Sequence, residues 1–195
     1  MKRSAKFFMI VLLAACLFGA REAHCADSSS STDFTISVQN VFSLEFYSDA
    51  NVLYSTTVPF TNIDPLESIV YPDGRFQDDG KSDTALICRS NVGETWYLKM
   101  HSVTTPPLSH DKIKFYMDKP HNRNTGEGAD GSLARSPDWY SIGEDATTVY
   151  TAGYKDLSNL PFGTLATFNF AIIPTGLEGG KGYSASITYT MTSSS

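Results

Sequence analysis

Apolar and polar positions alternate with a period of two in segment after segment of this 195-residue chain. In Thr95-Trp96-Tyr97-Leu98-Lys99-Met100-His101, Trp96, Leu98 and Met100 fall on one side, and Tyr97, Lys99 and His101 on the other. Near the C-terminal end, Tyr183, Ala185, Ile187, Tyr189 and Met191 share one face, and Ser184, Ser186, Thr188, Thr190 and Thr192 the other. Successive side chains of a strand point to opposite faces of its sheet, so both runs predict half-buried β-strands. The same reasoning predicts strands at Phe34–Val38, Val41–Tyr47, Val52–Phe60, Leu86–Ser90, Ile113–Met117, Thr147–Thr151 and Thr164–Ile173, which are rich in aromatic and β-branched residues. Turn chemistry separates them at Ser48–Asn51 and Asn62–Pro65. Asn91-Val92-Gly93 reads as the turn of a hairpin joining Leu86–Ser90 to Thr95–His101.

No run carries a convincing helical period; Leu66–Val70 suffices for one turn. Many short strands punctuated by Gly and Pro predict an all-β fold. The expected form is an antiparallel β-sandwich with Greek-key, immunoglobulin-like connections, a single domain over 34–195. One stretch interrupts the rhythm. Residues 119–137, KPHNRNTGEGADGSLARSP, are poor in apolar residues and rich in Gly, Asn and charge, and read as an exposed loop.

The first 26 residues alter the picture of where the chain works. Met1–Lys6 is basic, Phe7–Ala20 is apolar but short for a membrane span, and small residues follow before Ala26 and Asp27. This is the layout of a secretory signal peptide, 1–26, followed by a Ser-rich lead-in, 27–33. Leu13-Ala14-Ala15-Cys16 also fits a lipobox, so soluble export and a lipid anchor at Cys16 are both open, and a membrane is a partner only through Cys16. Loss of Lys2, Arg3, Lys6 and Arg21 with Glu22 takes the formal charge from −6 to −9. An exported surface that acidic repels phosphate backbones and argues against nucleic acid as a partner. Cys25, if retained, has Cys88 as a disulfide partner; otherwise Cys88, on one face with Leu86, reads as a small buried apolar residue.

Candidate chemistry is sparse. Gly126-Glu127-Gly128-Ala129-Asp130-Gly131 matches G-x-G-x-x-G but has no preceding parallel strand or following helix, and its acids would repel a pyrophosphate. Asp73, Asp78, Asp79 and Asp83 crowd a glycine-containing loop whose oxygens suit Ca²⁺, although EF-hand spacing is absent. His101, His110 and His121 have no zinc spacing, and there is no G-x-S-x-G elbow, so the expectation is no catalytic residue and no bound cofactor. As a binding surface, the long loop offers Asn124, Glu127 and Asp130, and Trp139 and Tyr140 follow it with rings suited to stacking on sugars or to closing the loop base.

Trp96-Tyr97-Leu98 is a literal Trp-x-Leu, and the closing GYSASITYTM, 182–191, resembles the last strand of bacterial WxL-type surface domains. Members carry a second Trp-x-Leu there; this chain has Tyr189-Thr190-Met191, which keeps aromatic-x-apolar and loses the tryptophan. The resemblance implies an exported, non-enzymatic bacterial surface protein of β-rich fold. Its partners would be cell-wall glycan or a surface protein, with Trp96, Leu98, Tyr189 and Met191 as the structural signature. The alternative is a pilin-like or adhesin subunit that self-assembles by β-strand exchange, with Phe34–Val38 as donor. An incomplete sandwich with an open groove favours that alternative; a cleft of converging carboxylates or histidines would favour an exported enzyme or calcium module.

Overall fold

The computed structural model describes residues 41–54, 56–61, 63–73, 75, 80–105, 108–118, 120–134, 138–178 and 181–194. The expected signal 1–26 with Cys16 and Cys25, the lead-in 27–33, the strand Phe34–Val38 and the acids Asp78 and Asp79 lie outside the described residues. The chain divides into two compact units, Met1–Val38 and Gln39–Ser195, and every described residue belongs to the second.

That unit is built of strands: β1 (Phe42–Tyr47), β2 (Thr84–Ser90), β3 (Tyr97–Thr104), β4 (Ile113–Met117), β5 (His121–Asn122), β6 (Ser132–Leu133), β7 (Tyr140–Ser141), β8 (Thr147–Thr151), β9 (Thr164–Ile172) and β10 (Ala185–Thr192). Short 3-10 turns at His110–Lys112 and Tyr154–Asp156 are the helical pieces among the described residues. One sheet has the order β1-β2-β9-β4-β7, with β5 also on β9; the other has β10-β3-β8-β6, and all strand pairs are antiparallel. Their inner faces close on one core, in which Leu86, Phe115 and Phe168 of the first sheet meet Leu98 and Met100 of the second and Trp96, the residue before β3. The fold is therefore an antiparallel β-sandwich.

The alternation around Trp96 falls as the pattern requires: Trp96, Leu98 and Met100 are buried, and Tyr97, Lys99 and His101 are half-buried. The expected hairpin across Asn91–Gly93 does not form. β2 lies in one sheet and β3 in the other, so these residues carry the chain across the sandwich. β9 and β10 likewise belong to different sheets. The run Ala85-Leu86-Ile87-Cys88 is buried on both faces, because Ala85 and Ile87 pack outward against Leu165, Tyr47 and Val52.

Val52–Phe60, expected as a strand, shows among its described residues one isolated parallel bridge, Val52 to Ser82. Its backbone is spent elsewhere: Leu53 and Tyr54 donate to the carbonyls of Ser82 and Asp83, and Pro59 accepts from Asp73. Leu66–Val70 forms a turn, with Leu66 N–H on the Asp64 carboxylate. The 119–137 stretch is exposed over Arg123–Gly128 but carries β5 and β6, and Pro120, Asn122 and Ala129 are buried. Gly131 in this stretch, and Gly153 beyond it, are required by close packing, whereas Gly126 and Gly128 face open space. A Cβ on Gly131 would come 2.2 Å from the Tyr150 hydroxyl, and one on Gly153 would come 2.3 Å from Asp130.

Two buried polar knots tie the sandwich. Asp156 accepts from Tyr150 Oη at 2.5 Å, Thr164 Oγ1 at 2.8 Å and Gly153 N at 3.2 Å, while its carbonyl receives the Trp96 indole N–H at 2.8 Å. Asn159 extends this knot, taking Ser90 N–H and donating to Cys88 O and Thr164 Oγ1. In the second knot, Asp83 takes the Phe170 N–H at 2.6 Å and pairs with Arg75 Nε at 3.3 Å. The Asp83 carboxylate thus stands in for a strand partner where β9 runs past the end of β2.

Candidate functional site

A groove of about 740 Å³ lies at the end of the sandwich where β10 begins. Phe46, Ile113, Phe170 and Ile172 form its wall on the first sheet; Ala185, Ile187 and Tyr189 form the wall on the second. Val58, Phe60 and Ile63 roof it, and Leu108, Leu177 and Tyr183 close the end. The lining is mixed: these aromatic and aliphatic side chains are joined by hydroxyls of Thr56, Thr57, Thr61, Thr84, Ser184 and Ser186 and by Lys181. Local sequence explains why it stays open. Pro59 sits in the Val52–Phe60 run, which passes the groove as irregular backbone without adding a strand. The Ser48–Asn51 turn ends β1 just after Phe46.

Beside the groove runs an open strand edge. β10 pairs with β3 on one side, and among the described residues no strand lies on its other side. Thr105 N–H bonds to Ser184 O, which makes 184 and 105 a hydrogen-bonded pair in a register that continues unbroken through β10. Bonding alternates along an antiparallel pair, so even-numbered residues of β10 bond to β3. Ala185, Ile187, Tyr189 and Met191 then turn their N–H and C=O groups to the open edge. These same residues direct side chains inward, Ile187, Tyr189 and Met191 half-buried against the core. Phe46, 49% exposed, packs edge-on to Tyr189 with centroids 6.1 Å apart, so a large apolar ring stands in the groove mouth.

The residues singled out from sequence fall in several places. Trp96 and Leu98 are fully buried. Their counterpart, Tyr189-x-Met191, lies on the adjacent strand, Met191 opposite Leu98 and Tyr189 opposite Met100. Asn124 and Glu127 line a second, polar pocket of about 320 Å³ with Asn122, Thr125, Lys155 and Leu160. Glu127 pairs with Lys155 Nζ at 3.0 Å, which holds the ammonium above its ordinary range, and Asp130 accepts the Lys155 backbone N–H at 2.9 Å. Trp139 and Tyr140 belong to neither place. Trp139 packs among Tyr71 and Tyr116, with centroids 5.8 and 6.0 Å away. Tyr140 is buried against Phe115 at 3.9 Å, in the core rather than on the expected binding surface.

Of the loop acids, the two described are committed to protein partners: Asp73 takes the backbone and hydroxyl donors of Thr61, both at 2.6 Å, and Asp83 holds Phe170 and Arg75. Among the described residues no three His, Cys, Asp or Glu side chains gather as metal ligands. His110 shares a 2.7 Å hydrogen bond with buried Ser102. Cys88 is fully buried, and burial pushes its thiol up to about 12, far from a nucleophile at neutral pH. Among the described residues no helix is long and apolar enough to cross a membrane.

Sequence reasoning passed over Phe46, Phe60, Ile63 and Leu108 as groove residues. The inward row of β10 was readable as half-buried, but nothing local marks the side that lacks a neighbouring strand. Comparison with protein-family models, with curated proteins and with solved structures found no match to this chain.

Proposed function

We propose that the protein is an exported, non-enzymatic subunit that acts by β-strand addition. An extended segment from another polypeptide lies along β10 and lowers alternate side chains into the groove. One observation carries this reading. The groove and the outward N–H and C=O groups of Ile187 and Tyr189 sit side by side, so one added strand would satisfy both. Main-chain bonds to an open edge supply affinity in such recognition, and pockets for alternate side chains supply specificity. The composition of β10 supports it further. Soluble proteins guard open edges with charges, Pro or bulges; Ala185–Thr192, ASITYTMT, has no charge and no Pro, and its register with β3 has no bulge.

The reading is tested by sedimentation of the purified chain over a range of concentrations, alone and with Ile187→Asp. The expected result is assembly that grows with concentration and disappears with Ile187→Asp while the circular-dichroism strand signal persists. A wild-type chain that stays monomeric and binds no partner segment overturns it.

A second reading, the WxL-like surface protein, draws support from the polar pocket. Asn124, Thr125, Glu127 and Lys155 present amide, hydroxyl and charged groups, and exposed Leu160 forms an apolar rim, an arrangement suited to a glycan. Asn124→Ala with Thr125→Ala should then weaken co-sedimentation with purified cell wall and leave sedimentation of the chain alone unchanged.

A further inference from the structure

We infer that the strand added along β10 is β10 of a second copy of this chain, which closes the protein into a twofold dimer with Thr188 on the axis. This rests on the strand-addition reading above and names the partner. The first argument is self-complementarity. Two antiparallel copies of one strand pair about a twofold axis normal to their sheet, so β10 must complement its own reverse. The N–H and C=O groups that β3 leaves open belong to Ala185, Ile187, Tyr189 and Met191, so odd residues must face odd residues across the new pair. With Thr188 on the axis, Ile187 faces Tyr189 and Ala185 faces Met191 on the inner side, a β-branched side chain beside an aromatic ring and a small one beside a long one. On the outer side Thr188 faces Thr188 and Ser186 faces Thr190, hydroxyl against hydroxyl. All the open residues of both copies then exchange main-chain hydrogen bonds, about eight in total. Moving the axis to Tyr189 sets two phenol rings against each other and leaves Ala185 facing Ser193, beyond the end of β10.

The second argument is charge and room. The chain is acidic, with a formal charge of −6, so two copies repel unless they meet where neither carries charge. β10 has no charged residue, and β1, which comes close to it at Phe46, has its Glu45 held by Arg89 at 2.6 Å. The groove borders β10 from Ser184 to Tyr189, which leaves the incoming strand a place beside it. Phe46 supplies a further contact. It is half-exposed and packs on Tyr189, the residue next to the axis. The axis, normal to the sheet of β10, continues past the margin of the other sheet at β1. The dimer therefore brings Phe46 of each copy to the same line, where the two rings cover each other and the inner rows of both β10 strands. Because the same surface meets itself, assembly stops at two and no edge of β10 is left open.

Disulfide formation tests this in the full chain carrying Cys16→Ser and Cys25→Ser, with Cys88 left buried. Even residues of the new pair are not hydrogen-bonded to each other, so Thr188 and its copy stand with Cα atoms about 4.5 Å apart, a separation that a disulfide spans. Thr190 and its copy are offset by about 14 Å along the strands, which a disulfide does not span. Both side chains are exposed, so neither Thr188→Cys nor Thr190→Cys disturbs the core. Each variant is oxidised in air with a copper catalyst and run on a non-reducing denaturing gel. The expected result is a linked dimer for Thr188→Cys and monomer for Thr190→Cys, with a heterodimer when Thr190→Cys is mixed with Ser186→Cys. Sedimentation of the wild-type chain should level off at two subunits. Equal linking of Thr188→Cys and Thr190→Cys, or wild-type assembly beyond two subunits, overturns the closed dimer and leaves strand addition standing. No linked dimer from Thr188→Cys, in a chain that still assembles by sedimentation, overturns β10 as the partner strand. A chain that neither links nor assembles nor binds an extended segment overturns the strand-addition reading as well.

Discussion

Replacing Trp96 measures how firmly the two sheets are bound to each other. Its side chain is fully buried, its ring lies 5.7 Å from that of Tyr150, and its N–H is the donor for the Asp156 carbonyl. Trp96→Ala removes a fused ring system from a packed core, and such truncations cost about 3–5 kcal/mol. Trp96→Phe retains most of the apolar contact and deletes the donor. The Asp156 carbonyl is then a buried acceptor without its partner, at about 1–3 kcal/mol. In a domain of this size each kcal/mol lowers the melting temperature by about 2–4 °C, so Trp96→Ala should fall by about 6–20 °C. Urea unfolding followed by the circular-dichroism strand signal is the assay, since removing Trp96 also removes one of the two tryptophan fluorophores. A loss below about 1 kcal/mol for Trp96→Ala would refute the burial argument. A Trp96→Phe variant as stable as wild type would refute the hydrogen-bond term alone. Because Trp96 and Tyr150 meet at Asp156 from two sides, a double-mutant cycle with Tyr150→Phe should show non-additive losses.

Other outcomes follow from particular contacts. Gly131→Ala forces a Cβ to within 2.2 Å of the Tyr150 hydroxyl and 2.4 Å of the Thr151 carbonyl, so urea melts should show a loss of about 1–3 kcal/mol or more, whereas Gly128→Ala meets nothing and should be near neutral. Alkaline pH should destabilise the fold. Burial raises the Cys88 thiol from 9.0 to about 12 and, with the Asp156 carboxylate, raises the Tyr150 phenol, so the folded state holds protons that the unfolded state releases. The Cys88 contribution is fully present below pH 9 and fades as pH climbs through about 12; Cys88→Ala should flatten that part of a stability-against-pH curve measured by urea melts. Amide exchange of the unassembled chain should alternate along β10, with Ser186, Thr188 and Thr190 protected and Ile187 and Tyr189 fast; a uniform pattern would refute the edge assignment.

Strands whose two faces differ were plain in the sequence. β3, β4, β8 and β10 lie where the sequence pattern put them, with ends displaced by a few residues, and β9, buried on both faces, lies where its aromatic and aliphatic run put it. Hidden features depend on residues distant in the chain. Asn91–Gly93 has hairpin chemistry, but whether the next strand returns beside β2 or crosses the sandwich is decided by the core between them. The Val52–Phe60 run has strand composition, yet its backbone bonds go to Ser82, Asp83 and Asp73. Asp83, one of the loop acids the sequence offers to Ca²⁺, and Asp156, which nothing in the sequence marks, are fully buried, because Arg75 and Phe170 in one case and Tyr150 and Thr164 in the other supply what water would have given. Of the candidate site, half was readable. The inward row of β10 follows from period two; its missing neighbour does not, since absence of a strand leaves no mark on the strand that lacks it.

The unguarded edge also limits which functions fit. Other sheet margins of this unit are occupied or charged: β1 carries Glu45, paired with Arg89 at 2.6 Å, and β7 is two residues long. β10 is eight residues of uncharged Ser, Thr and apolar side chains beside a groove that leaves Phe46 half-exposed. An edge of that kind is an aggregation hazard if it has no partner. A function located only in the polar pocket around Lys155 would leave this hazard unexplained, because the edge could carry a lysine at no cost to that pocket. Strand addition explains it: a charge on the inward row, between Ile187 and Tyr189, would be covered by every donor against the aliphatic and aromatic wall of the groove, at a cost in desolvation. The absence of a guard on β10 and the uncharged inward row of Ala185, Ile187, Tyr189 and Met191 are then one requirement, seen first in the backbone and then in the side chains.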